Sequence, residues 1–414
     1  MTPAVVVSAT VAALLVAPIT TPASATPTQA TASTPELVVR NFGYNAGGWR
    51  VDKHPRFLAD VNGDGRADIV GFGDAGVWVS LARANGTFAD PQLVVNNFGY
   101  NQGWRVDQHP RFLADVNGDR RADIVGFGND GVWVSLARAN GTFAPAQLAV
   151  NNFGTAQGWR VDQHPRFLAD VNGDGRADIV GFGNDGVWVS LARANGTFAD
   201  PQLVVNNFGY NQGWRVDQHP RFLADVNGDG RADIVGFGND GVWVSLARAN
   251  GTFAPAQLVL NNFGFNAGGW RVDRHPRFLA DVNGDRRADI VGFGNDGVWV
   301  SLAQQNGTFA PAQLVLNNFG FNAGGWRVDR HPRLLADVNG DGRADIVGFG
   351  NDGVWVSLAQ ANGTFAAAQL VVNNFGYNQG WRVDQHPRFL ADVNGDGRAD
   401  IVGFGNDGVW VSRN

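Results

Sequence analysis

Nine-residue stretches that begin and end on aspartate recur along the chain, with oxygen-bearing side chains at fixed places. The first reads Asp60-Val61-Asn62-Gly63-Asp64-Gly65-Arg66-Ala67-Asp68, with side-chain oxygens at positions 1, 3, 5 and 9 and the Arg66 carbonyl left to serve at position 7. This is hard-cation chemistry. Calcium takes roughly six to eight oxygens and tolerates irregular geometry, so three carboxylates, an amide oxygen, a carbonyl and water suit it better than magnesium. The candidate structural Ca2+ ligands are Asp60, Asn62, Asp64, Arg66 and Asp68; Asp115, Asn117, Asp119, Arg121 and Asp123; Asp170, Asn172, Asp174, Arg176 and Asp178; Asp225, Asn227, Asp229, Arg231 and Asp233. The same pattern continues through Asp281, Asn283, Asp285, Arg287 and Asp289; Asp337, Asn339, Asp341, Arg343 and Asp345; and Asp392, Asn394, Asp396, Arg398 and Asp400. An EF-hand is excluded, because its twelfth position would be Gly71 rather than a bidentate glutamate. The plainer alternative is that Asp and Asn only close hydrogen-bonded turns. In the second and fifth copies Arg120 and Arg286 replace the loop glycine, where a positive φ would cost a side-chain residue roughly 1 kcal/mol and weaken the site.

The loops count the repeats. They start at Asp60, Asp115, Asp170, Asp225, Asp281, Asp337 and Asp392, giving seven near-identical units of 55 or 56 residues. The 14 Trp fall two to a unit and the seven His one to a unit. Within a unit, alternating apolar residues and turn signals predict four short strands, in the first copy 56–61, 68–73, 76–82 and 92–98. The elements that must carry the loops are therefore antiparallel four-stranded sheets, and the fold class is all-β, a seven-bladed β-propeller. The chain stops just after the third strand of the last unit, while Glu36 to Phe42 repeats the fourth-strand pattern. The N-terminal strand is thus predicted to complete the last blade against 408–412 and to close the ring, hiding two sheet edges. An open solenoid would leave both terminal units uncapped.

Composition agrees. Glu36 is the only glutamate and 56 residues are Gly, which excludes a mainly helical fold. Without cysteine there is neither a disulfide framework nor a thiolate metal site. A net charge of −6 argues against a nucleic-acid partner. Residues 1–25 are apolar and end in Ala23-Ser24-Ala25, which predicts a signal peptide and a secreted, extracellular protein, although no Lys or Arg precedes the apolar run. Residues 26–35 read as a Thr/Pro/Ala-rich linker, and 36–414 as a single propeller domain without membrane insertion. Filling seven loops with divalent ions would move the formal charge from −6 to +8, so metal would act as a folding ligand.

The loop followed by ADIVGFG resembles the FG-GAP/VCBS repeat of integrin-α-type propellers. The longer run NFGYNQGWRVDQHPRFLAD joined to GFGNDGVWVS is similar to the Psathyrella velutina lectin family across 36–414. That resemblance implies a calcium-containing, seven-bladed lectin, not an enzyme, with sugar pockets between adjacent blades. Its partners would be glycans carrying N-acetylglucosamine or sialic acid, on cell surfaces or glycoproteins. Integrin-like adhesion to a protein partner is the alternative.

The segment that crosses each blade boundary is rich in aromatics and amides. It nominates as glycan-binding residues Tyr44, Asn45, Trp49 and Arg50; Tyr100, Asn101, Trp104 and Arg105; Tyr210, Asn211, Trp214 and Arg215. The later units add Phe265, Asn266, Trp270 and Arg271; Phe321, Asn322, Trp326 and Arg327; and Tyr377, Asn378, Trp381 and Arg382. Aromatic faces stack on pyranose rings, and guanidinium and amide groups bond hydroxyl, N-acetyl or carboxylate oxygens. The competing expectation is that Trp104 wedges the blades together and Arg105 pairs with Asp107. Unit three has Thr155-Ala156 in place of the aromatic-Asn pair, which predicts an impaired pocket. Loops reading NAGGW precede Lys53, Arg274 and Arg330, whereas QGW loops precede glutamine, which predicts two versions of one site. His54 and its equivalents are expected to be hydrogen-bonded structural residues. A catalytic site is disfavoured, because seven equal units lack the asymmetric environments that separate an acid from a base.

Overall fold

The structure, a computed structural model, describes residues 32–414, so the expected signal peptide and the start of the linker lie outside the described residues. Seven antiparallel four-stranded sheets follow one another, each built from four consecutive strands except the last. In the first blade the strands are Arg56–Ala59, Asp68–Phe72, Val77–Ser80 and Gln92–Val95. Their starts match the sequence expectation to within a residue. The fourth strand ends three residues early, because Phe98 takes a left-handed backbone (φ 63°) that cannot continue a strand. First strands of neighbouring blades touch each other, so they line the axis, and the fourth strands form the rim.

The seventh blade pairs Glu36–Val39 with Val409–Ser412 in the register Glu36↔Val411, Leu37↔Trp410, Val39↔Val409. The ring is closed by the N-terminal strand. Pairing begins even before Glu36: the Ser33 amide donates to the Arg413 carbonyl at 2.8 Å, and Ser412 Oγ donates to the Ser33 carbonyl. Arg413 stands where other units have leucine, and its guanidinium donates to the Gly86 carbonyl of blade one at 2.8 Å.

The cores lie between blades rather than within them. One cluster joins Val70, Phe72, Val77 and Phe98 of the first unit to Trp104, Ile124 and Phe143 of the second, and the other junctions repeat it. The second strand, DIVGF, is buried along its whole length, as expected for a sheet covered on both faces. Its glycine is required: a Cβ on Gly126 would lie 2.6 Å from the Trp104 ring and 2.8 Å from Phe98.

The aspartate loops also connect blades. Each Ala67-type amide donates at 2.8 Å to the Asp60-type carbonyl of the preceding unit, seven times around the ring.

Candidate functional site

Every junction is assembled on the left-handed phenylalanine. Asn97 Oδ1 accepts from the Phe98 amide (2.7 Å) and from Trp104 Nε1 (3.0 Å), holding backbone and indole together. The Phe98 carbonyl accepts from Arg111 Nη1 at 3.0 Å. Arg111 is buried, its Nε and Nη2 have no acceptor, and desolvation pulls its pKa down to about 9. Sequence reasoning missed this arginine, whose only signal was a charged residue opening an otherwise apolar inner strand.

The six nominated indoles do not offer a face to a ligand. Trp49, Trp104, Trp214, Trp270, Trp326 and Trp381 are each buried, at 4–6% exposure, with Nε1 bound to the asparagine before the phenylalanine. They pack in the cores that join neighbouring blades. The remaining nominees do come together. The Arg105 guanidinium stacks on Tyr100 at 3.7 Å and donates to the Tyr100 carbonyl, instead of pairing with Asp107. Arg50 on Tyr44, Arg215 on Tyr210, Arg271 on Phe265, Arg327 on Phe321 and Arg382 on Tyr377 repeat this stack at 3.7–3.8 Å. Asn101 is exposed beside them, as are Asn45, Asn266 and Asn322, while Asn211 and Asn378 donate across the junction to Asp185 and Asp352.

The preceding unit supplies the opposite wall. Lys53 Nζ lies 5.1 Å from the Tyr100 centroid, and the Arg274 and Arg330 guanidiniums lie 5.2 Å from Phe321 and Tyr377. Each cation therefore serves the next unit's loop. Lys53 and Arg330 face short loops and Arg274 faces a long one, so the expected link between loop length and charge holds at the Phe321 junction and fails at the Tyr100 and Tyr377 junctions.

His54 is structural, as expected. Its Nδ1 accepts from the Arg50 amide (3.1 Å), so Nε2 carries the proton and donates to Asp74 at 2.9 Å; in the other units the acceptor is an asparagine such as Asn129. Burial holds these imidazoles below their ordinary pKa.

Unit three differs. Thr155 leaves the aromatic position open, and Arg160, without a ring to stack on, is exposed where its six counterparts are half-buried. A cleft of about 420 Å3 opens there, lined by Asp107, Gln108, Asn129, Thr155, Trp159 and Arg160 among others. The junction lacks the ring of the other units and has a cleft beside Thr155.

In the aspartate loops, Asp60 Oδ1 accepts from the amides of Asn62, Gly63 and Asp64, and Oδ2 from Gly65 at 2.7 Å. Asn62 Oδ1 accepts from the Asp64 amide, and Asp64 pairs with the Arg66 guanidinium. Asp68 is fully buried between the Val61 and Ala82 amides, and desolvation, with Asp64 and Asp60 nearby, pushes it up to about 7. Among the described residues no three acidic or imidazole groups converge in a metal-holding geometry. The donor set is still all oxygen, as a hard cation requires. Arg120 and Arg286 occupy the positive-φ position at 67° and 68°, as their loop place predicts.

The FG-GAP-like repeat family matches residues 337–403. An Agrocybe aegerita lectin, described as specifically recognising non-reducing terminal N-acetylglucosamine, shares 48% identity over 85% of this chain and 88% of its own, with a TM-score of 0.83. The chain belongs to this Psathyrella velutina lectin-like family. The match covers most of the propeller. A Photorhabdus luminescens Tc holotoxin pore (18% identity, 81% of this chain and 16% of that one, TM-score 0.49) has no bearing on function. Neither does a Bacillus licheniformis rhamnogalacturonan lyase (13%, 88% and 72%, 0.41). No curated protein matches the chain.

Proposed function

We propose that the chain is a secreted, multivalent lectin that binds terminal N-acetylglucosamine, or sialic-acid-bearing glycans, at the junctions between blades, and that it is not an enzyme. The observation that carries this reading is the 48% identity to the N-acetylglucosamine-recognising Agrocybe lectin over most of both chains. The junction chemistry supports it. Six of the seven pair a guanidinium-backed ring with an exposed asparagine and, from the neighbouring unit, an amide or cation, groups that can bond hydroxyl and N-acetyl oxygens. Several such sites on one rigid ring convert weak sugar contacts into strong attachment where a surface presents many copies.

Calcium in the aspartate loops completes the proposal. Asp60, Asn62 and Asp64, the Arg66 carbonyl and Asp68 would hold it, neutralising the crowded carboxylates; Asp64 would exchange its Arg66 partner for the ion. The loops are bonded to one another around the axis, so metal there would brace the junctions without touching the sugar.

A glycan array probed with the calcium-loaded mature protein, with free N-acetylglucosamine as competitor, tests the function. Selective, competed binding is expected. Silence from folded protein would overturn the reading in favour of protein adhesion.

A further inference from the structure

At six junctions a flat six-membered side-chain ring sits against a guanidinium at 3.7–3.8 Å, and at three of them a cation of the preceding unit lies 5.1–5.2 Å from the centroid on the opposite wall. At the junction of blades two and three that ring is missing. Thr155 ends short, its hydroxyl donating to Asn129 Oδ1 at 2.6 Å, and the space opens into the cleft of about 420 Å3. Arg160 still donates to the Thr155 carbonyl at 3.1 Å, so the guanidinium is held in place although nothing covers it.

We infer that this slot accepts a pyranose ring of the ligand where the other junctions hold their own aromatic side chain, so that this one junction binds a glycan one residue longer than the rest. The inference rests on the glycan-binding reading above. One feature favours a sugar over an aryl group: the lining is polar, with Asp107, Gln108, Arg160 and Asp162 around the space that the ring vacates. An aryl ring would use only the guanidinium face and leave those groups to water. A pyranose offers hydroxyls to both carboxylates, which accept, and to the amide and guanidinium, which donate. Asn129 also lines the cleft, its Oδ1 already taken by Thr155 and His109.

The test compares N-acetylglucosamine with its β1-4-linked disaccharide by titration calorimetry, on the calcium-loaded chain and on Thr155→Tyr. The substitution restores the residue that other units carry, so the variant is expected to fold. In the parent chain one site should prefer the disaccharide about tenfold, with crystals soaked in it showing a sugar ring between Gln108 and Arg160. In Thr155→Tyr that preference should vanish while the other sites titrate unchanged. Monosaccharide binding with no site that prefers the disaccharide, or a preference that survives in Thr155→Tyr, overturns the inference and leaves the lectin reading intact. No binding of either sugar overturns both.

Discussion

The Ala67 amide donates to the Asp392 carbonyl at 2.8 Å, joining the first repeat to the last by the bond that joins every other neighbouring pair. The closure is therefore double. One part is this loop contact near the axis, and the other is the rim strand that Glu36–Val39 adds to the seventh sheet.

Removing residues 33–42 should break the second part. It would expose the Val409–Ser412 edge and take Phe42 out of the junction core. Expected outcomes are a lower, broader thermal transition and concentration-dependent association in size-exclusion chromatography.

Asn97→Ala should destabilise by about 2–3 kcal/mol, since it leaves the Phe98 amide and the Trp104 indole N–H buried without acceptors. Urea unfolding reads this as a lower midpoint. Glycan affinity at the remaining junctions should be unchanged.

Arg120→Gly should stabilise the apo protein by about 1 kcal/mol, because glycine adopts the φ of 67° without the Cβ penalty. Arg286→Gly should do the same, and the two effects should add because the residues belong to separate units.

Burial lowers the pKa of His219 in the folded state, so unfolding takes up a proton below about pH 6.5 and the stability this group contributes falls as pH drops through that value. His219→Gln should flatten the acid limb of stability against pH by up to about 1.4 kcal/mol per unit. The buried Asp233 carboxyl, pushed up to about 7, acts with the opposite sign, costing stability as pH rises from about 4 to 7 in metal-free protein. Comparing variant with parent isolates the histidine, and excess calcium should suppress the aspartate's contribution.

Chelation should lower the melting temperature, and calcium should restore it in a concentration-dependent way. Asp225→Asn together with Asp229→Asn should remove one equivalent of bound calcium in equilibrium dialysis. A melting temperature that ignores both chelator and calcium would count against metal in the loops.

The number of blades, their strand order and the N-terminal closure could be read from the sequence because each follows from counting: seven copies, four strands, and a last unit split into one strand at the N-terminus and three at the C-terminus. The junctions were legible only in part. Trp104 and Tyr100 are both aromatics in one glycine-rich segment, and nothing in their spacing says that Phe98 turns left-handed and draws one ring inward while leaving the other outside. The buried Arg111 was hidden for a related reason, since its partner is the Phe98 carbonyl, a backbone atom available only in that conformation. The Thr155 cleft was not legible because residue identity shows what a side chain no longer does and not what space it releases.

Each junction takes one wall from one repeat and the other wall from the next, as Lys53 and Tyr100 show. Recognition is thus encoded by neighbourhood. Rearranging the seven repeats, without altering a single codon inside them, would generate a different set of surfaces. Deleting one would merge two half-sites that had never met, so a gene of near-identical units can diversify its binding by reshuffling alone.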